Sequence, residues 1–213
     1  MARLVLVAAG GLAREALAAL GPGHDVVLLD DDPARRGTSV SGVPVVGGTD
    51  DITRYVDRGV VVCVGRGAGR RTVVARLAGL GVGPDRYASV VHPSVDVPDG
   101  CSVGAGSILL AGVVLTADVT LGRHVVAMPH VTFTHDDVVE DFATVAAGVA
   151  LGGGVRVGEA AYLGMAASVR ENVAVGADAT LGMAAALLQD LPAGETWAGV
   201  PARPLPSAAR VTR

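Results

Sequence analysis

A six-residue periodicity constrains the fold of this chain more than any other feature. From residue 91 to about residue 192, an apolar residue returns at every sixth position without an insertion. Half of all residues are hydrophobic, so chance would give the run of 17 with a probability of roughly 10⁻⁵ at a fixed phase. These residues therefore belong to repeats of one short unit. The column comprises Val91, Val97, Val103, Leu109, Leu115, Leu121, Ala127, Phe133, Val139, Val145, Leu151, Val157, Leu163, Val169, Val175, Leu181 and Leu187.

The other positions of each repeat indicate short strands joined by turns. The residue after the apolar one is glycine in seven repeats, and glycine is used where a chain bends or packs its backbone closely. Four positions after the apolar residue, most repeats have a small or β-branched residue. This pattern is typical of a solenoid of parallel strands, because each coil buries its apolar edge against its neighbours.

The repeat resembles that of the hexapeptide-repeat acyltransferases, whose members form a left-handed parallel β-helix of three hexads per coil. The resemblance implies about 5.7 coils and a prism roughly 27 Å long, at a strand spacing of about 4.8 Å. We therefore expect an all-β left-handed β-helix with a C-terminal extension over residues 91–213. Residues 1–90 are enough for a separate compact α/β domain.

Composition narrows the class of protein. No run approaches the ~20 apolar residues of a membrane span, and the N-terminus lacks the pattern of a signal peptide, so we expect a cytoplasmic protein without a membrane partner. The net charge of −4 gives no reason to expect a nucleic-acid partner. Cys63 and Cys101 lie in apolar segments without metal or redox spacing, which predicts reduced thiols and no metal.

The first 90 residues read as a small Rossmann-like domain with a parallel sheet. The hydrophobic pattern predicts strands over residues 3–9, 26–29, 43–46 and 60–64, and helices over residues 12–20, 50–58 and 72–80. Gly10 and Gly11 follow the first strand, and an acidic run follows the second, consisting of Asp30, Asp31 and Asp32. In nucleotide-binding βαβ units such glycines admit phosphate to a helix N-terminus, and the acid meets the ribose or base. The turn lacks the full G-x-G-x-x-G pattern, so a plain tight turn is an equally good interpretation.

A second glycine turn, over residues 65–71, carries three cations. Arg66, Arg70 and Arg71 either neutralise a phosphate or lie solvated at the start of a helix.

The order of the two domains narrows the resemblance. Four motifs look like those of the sialic acid O-acetyltransferase and bacillosamine-type nucleotide-sugar N-acetyltransferase family: Ala9-Gly10-Gly11, Leu29-Asp30-Asp31-Asp32, Val91-His92-Pro93-Ser94 and Gly199-Val200-Pro201-Ala202-Arg203. The resemblance implies that the N-terminal domain holds a nucleotide sugar at Gly10, Gly11 and the three acids. It also implies that the β-helix binds acetyl-CoA, with Gly199, Val200, Pro201, Ala202 and Arg203 against the cofactor, and that the chain forms a homotrimer with active sites between neighbouring prisms.

The candidate catalytic pair is His135 and Asp136, which matches the family's H-[DE] motif. Acetyl transfer from a thioester needs a base, a group that orients the base, and a donor for the oxyanion. His135 has an ordinary pKa near neutrality, and Asp136 can orient the imidazole and favour its charged form. Positions 18 apart stack in adjacent coils, so Gly153 should lie beside His135, with Ala117 on the other side. We predict that Gly153 N–H serves as the oxyanion donor, since no side chain blocks it.

Three positions depart from the family pattern. Family members often carry a second histidine near the cofactor where this chain has Ala143, which puts its acyl donor in question. Met128 and Pro129 replace an Asn-Thr pair, which alters the predicted acceptor pocket. Asp137 falls in an inward column, where a carboxylate is costly unless paired, so either it bonds the active-site backbone or the coil bends there.

The other histidines are expected to serve structure or contacts. His124 and His130 fall at corner positions and should be solvated or lie between subunits, with His130 the stronger second candidate for catalysis. His92 is expected to cap the domain join, and His24 to lie in a loop.

The predicted reaction is direct transfer of acetyl from acetyl-CoA to the amino group of a nucleotide-linked amino sugar, with His135 as general base. Two alternatives stay open. One is O-acetylation of a free sugar or sialic acid, and the other is a non-catalytic binding or scaffold protein that has the same fold.

Overall fold

The computed structural model describes residues 1–206, and within them the chain forms an α/β unit followed by a left-handed parallel β-helix. The helices are α1 (Gly11–Leu20) and α2 (Gly67–Gly79), and 3₁₀ helices span Pro33–Arg35, Thr49–Arg54 and Pro84–Arg86. The strands before the β-helix are β1 (Arg3–Val7), β2 (Asp25–Leu29), β3 (Ser39–Val40), β4 (Val43–Gly47) and β5 (Gly59–Val62).

The β-helix is built from strands of two or three residues. They are β6 (Val90–Val91), β7 (Ser102–Val103), β8 (Ile108–Leu109), β9 (Val114–Leu115), β10 (Thr120–Leu121), β11 (Val126–Ala127), β12 (Thr132–Phe133), β13 (Val138–Val139), β14 (Thr144–Val145), β15 (Ala150–Leu151), β16 (Arg156–Val157), β17 (Tyr162–Leu163), β18 (Ser168–Val169), β19 (Ala174–Val175), β20 (Thr180–Leu181), β21 (Ala186–Leu187), β22 (Thr196–Ala198) and β23 (Arg203–Pro204).

The N-terminal sheet has the order β3-β4-β2-β1-β5, with all pairs parallel except the β3–β4 hairpin. The central strand β1 is apolar throughout and buried after its first residue, as expected of a parallel strand that is covered on both faces. Helix α1 buries Leu12, Ala13, Ala16 and Ala19, which follow the period of a helix with one apolar face.

Strands 18 residues apart stack into three faces. The first face contains β7, β10, β13, β16 and β19, the second face runs from β6 through β8, β11, β14, β17 and β20 to β22, and the third face contains β9, β12, β15, β18 and β21. The pairing of Thr120 with Ser102 and with Val138 illustrates the offset. From Val103 onward the apolar column lies in the interior, and the predicted β-helix and its register are confirmed.

The corners of the prism follow a rule that the apolar column does not reveal. The third residue after the apolar one has a positive φ in 15 consecutive repeats, from Gly100 to Ala184. Few of these residues are glycine, although the left-handed region disfavours other side chains. The glycines one position after the apolar residue have a different role, because a Cβ there would collide with the next coil, as at Gly164.

Several predicted boundaries are wrong in detail. Helix α2 begins at Gly67 rather than at residue 72, so most of the second glycine turn is helical, and residues 49–54 form a 3₁₀ helix. Val91 and Val97, which begin the apolar column, are about two fifths exposed because no coil covers them. Strand β6 straddles the predicted domain boundary and pairs with β8, so the β-helix sheet begins at Val90.

No helix in the described part of the chain has the length and apolar character needed to cross a membrane. Cys63 and Cys101 are free thiols.

Candidate active site

His135 lies on the corner where the third face turns into the first, between β12 and β13. Its side chain is 69% exposed, and its Nδ1 lies 2.7 Å from Asp136 Oδ2. Because a carboxylate can only accept, Nδ1 carries the proton and Nε2 keeps its lone pair. The hydrogen bond from Asp136 raises the pKa of His135 above its ordinary value, since it favours the imidazolium. The pair can therefore act as a base oriented by a carboxylate.

Gly153 lies directly beside this imidazole, as the 18-residue offset predicts. A Cβ on Gly153 would collide with His135 Cε1 and Nε2, so Nε2 faces a gap that exists because residue 153 is glycine. The next amide, Gly154 N, donates to His135 O at 2.9 Å and fixes the spacing of the two turns. Gly153 N–H donates to no acceptor in the part of the chain that the structure describes. A carbonyl oxygen in the gap could therefore reach both the base and an unpaired donor.

Asp137 supports the turn from inside the prism. It is fully buried, and its carboxylate accepts from Thr134 N at 2.8 Å and from Val155 N at 2.9 Å. Of the two alternatives that the sequence leaves open, bonding to the active-site backbone is therefore the correct one. Burial raises the pKa of Asp137 to about 6, and the two amide hydrogen bonds offset only part of that cost.

The N-terminal domain contributes a cleft of about 410 Å³ at the start of α1. Gly10 and Gly11 line it, and α1 has no side-chain cap, so its first N–H groups are available to an anion. Ala8, which ends the turn from β1, has a φ of +75° and is held in this rare conformation beside the cleft. The remaining lining residues are Ala9, Arg14, Arg35, Ser39, Val40 and Ser41.

The three predicted substrate acids do not line this cleft, because the chain uses them in its own hydrogen bonds. Asp30 accepts from Ala9 N at 2.7 Å. Asp31 accepts from Thr49 N at 2.8 Å and from Arg76. Asp32 caps the 3₁₀ helix that follows it. Arg14 and Arg35 take their place, and no sequence signal singled out either one, because a lone arginine on a helix or in a loop is common.

A second cleft, of about 540 Å³, lies between the α/β unit and the second face of the prism. It shares Gly11 and Arg14 with the first cleft, so the two form one continuous depression. Arg66 stacks over the Tyr162 ring at 4.1 Å and forms part of its wall. Met128 also lines this cleft, whereas Pro129 lines a smaller one next to it.

Other predicted residues lie where they cannot take the expected part. Ala143 points into the prism and is fully buried, so a different residue there would not face a cofactor on the surface. Ala202 is 2% exposed and closes the C-terminal end of the core, whereas Val200 and Arg203 are exposed. His124 is 1% exposed, which contradicts the expected solvated position, and it stacks on Phe142 beneath Tyr87.

His130 is exposed, and His24 lies in a loop, as predicted. His92 Nδ1 accepts from Ser94 N at 3.1 Å where the chain enters the first coil. Among residues 1–206, no three His, Cys, Asp or Glu side chains are grouped as metal ligands would be.

Solved structures resemble the chain over nearly its whole length. The acetyltransferase domain of PglB from Neisseria gonorrhoeae, in complex with acetyl coenzyme A, is 32% identical over 95% of this chain and 98% of its own, with a TM-score of 0.85. PerB from Caulobacter crescentus, in complex with CoA and GDP-perosamine, is 29% identical over 97% of this chain and 98% of its own, with a TM-score of 0.86.

WeeI from Acinetobacter baumannii is 26% identical over 96% of this chain and 100% of its own, with a TM-score of 0.82. No protein-family model and no curated protein sequence matches the chain. The full-length similarity to the PglB domain, on a fold with the same two parts, shows that the chain belongs to the family of bacillosamine-type nucleotide-sugar N-acetyltransferases.

Proposed function

We propose that this protein transfers acetyl from acetyl-CoA to the amino group of a nucleotide-linked amino sugar, with His135 as general base. One observation carries the proposal. His135 Nδ1 is bound to Asp136 while Nε2 faces the gap at Gly153, so the basic nitrogen points at the one place beside it where a substrate can approach.

The reaction needs one base and one oxyanion donor. His135 Nε2 takes a proton from the acceptor nitrogen as that nitrogen attacks the thioester carbonyl carbon. The carbonyl oxygen becomes an oxyanion next to Gly153 N–H, and Asp136 stabilises the imidazolium that forms. When the tetrahedral intermediate collapses, the C–S bond breaks and the imidazolium returns its proton to the CoA thiolate. No covalent enzyme intermediate and no metal are required.

The acyl donor is assigned from the relatives together with the corner. The PglB domain holds acetyl-CoA, and PerB holds CoA. In this chain, Ala202 N donates to Ala186 O, three rungs or about 14 Å along the third face from Gly153. An extended thioester with its acetyl group at Gly153 can therefore reach the exposed Val200 and Arg203.

The acceptor is assigned to the two clefts that join at Gly11 and Arg14. PerB holds GDP-perosamine, an amino sugar on a nucleoside diphosphate. Here a diphosphate would meet the open N-terminus of α1 and Arg14, with the nucleoside in the cleft of Arg35, Ser39 and Ser41. The sugar would then extend into the cleft at Arg66 and Tyr162.

A second copy of the chain completes the site in this proposal. The sugar cleft lies on the second face and His135 on the far edge of the third face, so one chain separates the acceptor from its base. The outward residues of the third face are small or apolar, and Val114 is 46% exposed. A neighbouring prism packed there, as in a homotrimer, would bring one copy's His135 to the other copy's cleft. Light scattering gives the mass in solution, and a monomer that is fully active would overturn the shared site.

The proposal is tested by following thiol release from acetyl-CoA with GDP-perosamine and with UDP- and dTDP-linked amino sugars. We expect turnover with at least one of them and an N-acetyl product by mass spectrometry. An ester product would place the reaction with sugar O-acetylation, and failure to bind acetyl-CoA by calorimetry would overturn the assignment of the donor.

A further inference from the structure

Arg70 is a fully buried cation between the two domains, and it binds the backbone rather than a carboxylate. Its guanidinium donates to five carbonyl oxygens at 2.6–3.1 Å, two before α2 and three in the β-helix, and to one hydroxyl. The acceptors are Val64 O, Gly65 O, His124 O, Phe142 O, Ala143 O and Thr144 Oγ1. Burial lowers the pKa of Arg70 to about 10, which still leaves it charged at neutrality. A buried charge of this kind persists only where it is fully satisfied.

The residues around Arg70 make matching contacts on successive coils. Arg71 pairs with Glu159 at 2.9 Å and with Asp178 at 3.1 Å, and Arg66 stacks on Tyr162. A Cβ on Gly67 would collide with Phe142 O, so the start of α2 lies directly on the prism. We call residues 65–71 the domain latch. It explains why the second glycine turn carries three arginines, a motif that neither phosphate binding nor solvation accounts for.

The domain latch also forms a wall of the sugar cleft. Gly65 and Arg66 line that cleft together with Thr144 and Tyr162. Thr144 Oγ1 donates to Gly65 O at 2.8 Å and accepts from Arg70 Nη2 at 3.1 Å. Arg70 therefore holds Gly65 directly and through Thr144, and the position of Gly65 determines where Arg66 stands over the Tyr162 ring.

We propose that Arg70 is a positioning residue for the acceptor: it fixes Gly65 and Arg66 against the second face, so that the sugar end of the substrate meets a preformed wall. The inference rests on the proposed function, because it assigns that cleft to the sugar. Arg70 touches no substrate itself. Its loss should therefore affect acceptor affinity and leave the acetyl-CoA site, on another corner, unchanged.

The first test compares Arg70→Met with Arg58→Met. Arg58 is a matched control because it is a largely buried arginine of the N-terminal domain that binds Asp25 and makes none of the latch contacts. Both variants should lower Tm, but only Arg70→Met should raise KM and Kd for the nucleotide sugar, by about 10- to 100-fold for a wall displaced by about 1 Å. The KM for acetyl-CoA should stay within about twofold in both.

Thr144→Val gives a second variant that keeps the core volume if Arg70→Met does not fold. It removes the hydroxyl between Arg70 and Gly65, and we expect a smaller rise in acceptor KM, of about three- to tenfold. Combined with Arg70→Lys, the two effects should be less than additive, because both act through Gly65.

The outcomes separate this inference from the proposed function. A folded wild type that binds none of the nucleotide sugars overturns both. A wild type that binds one of them, with Thr144→Val and Arg70→Lys binding it equally tightly or raising both KM values in parallel, overturns the role of Arg70 alone.

Discussion

The turn that carries His135 and the junction at Arg70 are built in different ways. The turn repeats the backbone of the turns above and below it, so its neighbours, Ala117 and Gly153, follow from counting 18 residues in either direction. The junction occurs once, and side chains from a segment outside the repeat decide which backbone atoms it touches. A periodic scaffold thus places a catalytic group by arithmetic, whereas a binding wall between domains depends on individual long side chains.

The two regions hold a buried charge by complementary means. Asp137 accepts from two backbone N–H groups under the turn, and Arg70 donates to five backbone carbonyls under the junction. Both use polar backbone groups that a solenoid leaves at its corners. In each region the charge fixes a loop against a coil, so that the groups above it are held before substrate arrives.

The largest effect is expected from His135→Ala, which removes the base from the periodic turn. Turnover should fall by about 10²- to 10⁴-fold, the usual contribution of a general base. The side chain is 69% exposed, so Tm and the affinity for acetyl-CoA should hardly change. Steady-state kinetics and calorimetry measure both.

His24→Ala is the control for this experiment, because His24 lies in an N-terminal loop away from either cleft assigned to substrate. Undiminished turnover in His135→Ala, or an equal loss in His130→Ala, would remove His135 from its assigned role.

Gly153→Ala tests whether the gap in the coil matters as well as the histidine. A Cβ at this position would collide with Cε1 and Nε2 of the imidazole, which must then rotate away from Asp136. We expect kcat/KM to fall by about 10- to 100-fold while Tm stays nearly constant, since only one side chain has to move. Gly79→Ala is the matched control, because an added Cβ there meets nothing within 4 Å. Equal activity in both variants would show that the neighbour 18 residues on is irrelevant to the base.

Much of the β-helix could be predicted because its rules are local and repeated. Seventeen apolar positions determine the coil, and the coil places Gly153 beside His135 without any knowledge of side-chain conformation. The inward column also identified Asp137 as a carboxylate in need of partners, although only the structure shows that Thr134 N and Val155 N supply them.

The junction could not be predicted, because its contacts join residues that are far apart in sequence. Nothing local tells that Arg70 reaches Phe142 O, or that α2 begins early because Gly67 rests on that coil. His124 was assigned to solvent from its corner position, and it is buried because Tyr87 of the other domain covers that corner. A repeat predicts its own register but not which corner another domain covers.

Asp136→Asn sharpens the comparison by changing the charge at the turn and leaving its backbone alone. Asp136 raises the pKa of His135, so the base is deprotonated, and active, only above a pKa that lies higher than 6.5. Asparagine removes the negative charge, so the acid limb of the kcat/KM profile should move to lower pH while kcat falls about tenfold. The sugar amine is the same in both enzymes, so the difference between the two profiles reports on the histidine. Superimposable acid limbs would mean that Asp136 does not tune the base.

The smallest effect, on stability alone, is expected from Asp137→Asn. Burial raises the folded-state pKa of Asp137 to about 6, above the ordinary value of 3.8, so the folded protein binds this proton more tightly than the unfolded chain. Its contribution to stability is therefore fully present below about pH 4 and is lost as the pH rises through about 6. Asparagine does not titrate, so the difference in unfolding free energy between wild type and variant should shrink by roughly 2 kcal/mol over this range.

Urea unfolding of both proteins between pH 4 and 7.5 measures that difference. A difference that is constant with pH would show that the two amide donors compensate the buried carboxylate fully. Arg70 provides the contrast, because with a pKa of about 10 it stays charged across this range. The turn beneath the base should therefore weaken as the pH rises towards neutrality, while the contacts of Arg70 that hold the sugar cleft do not.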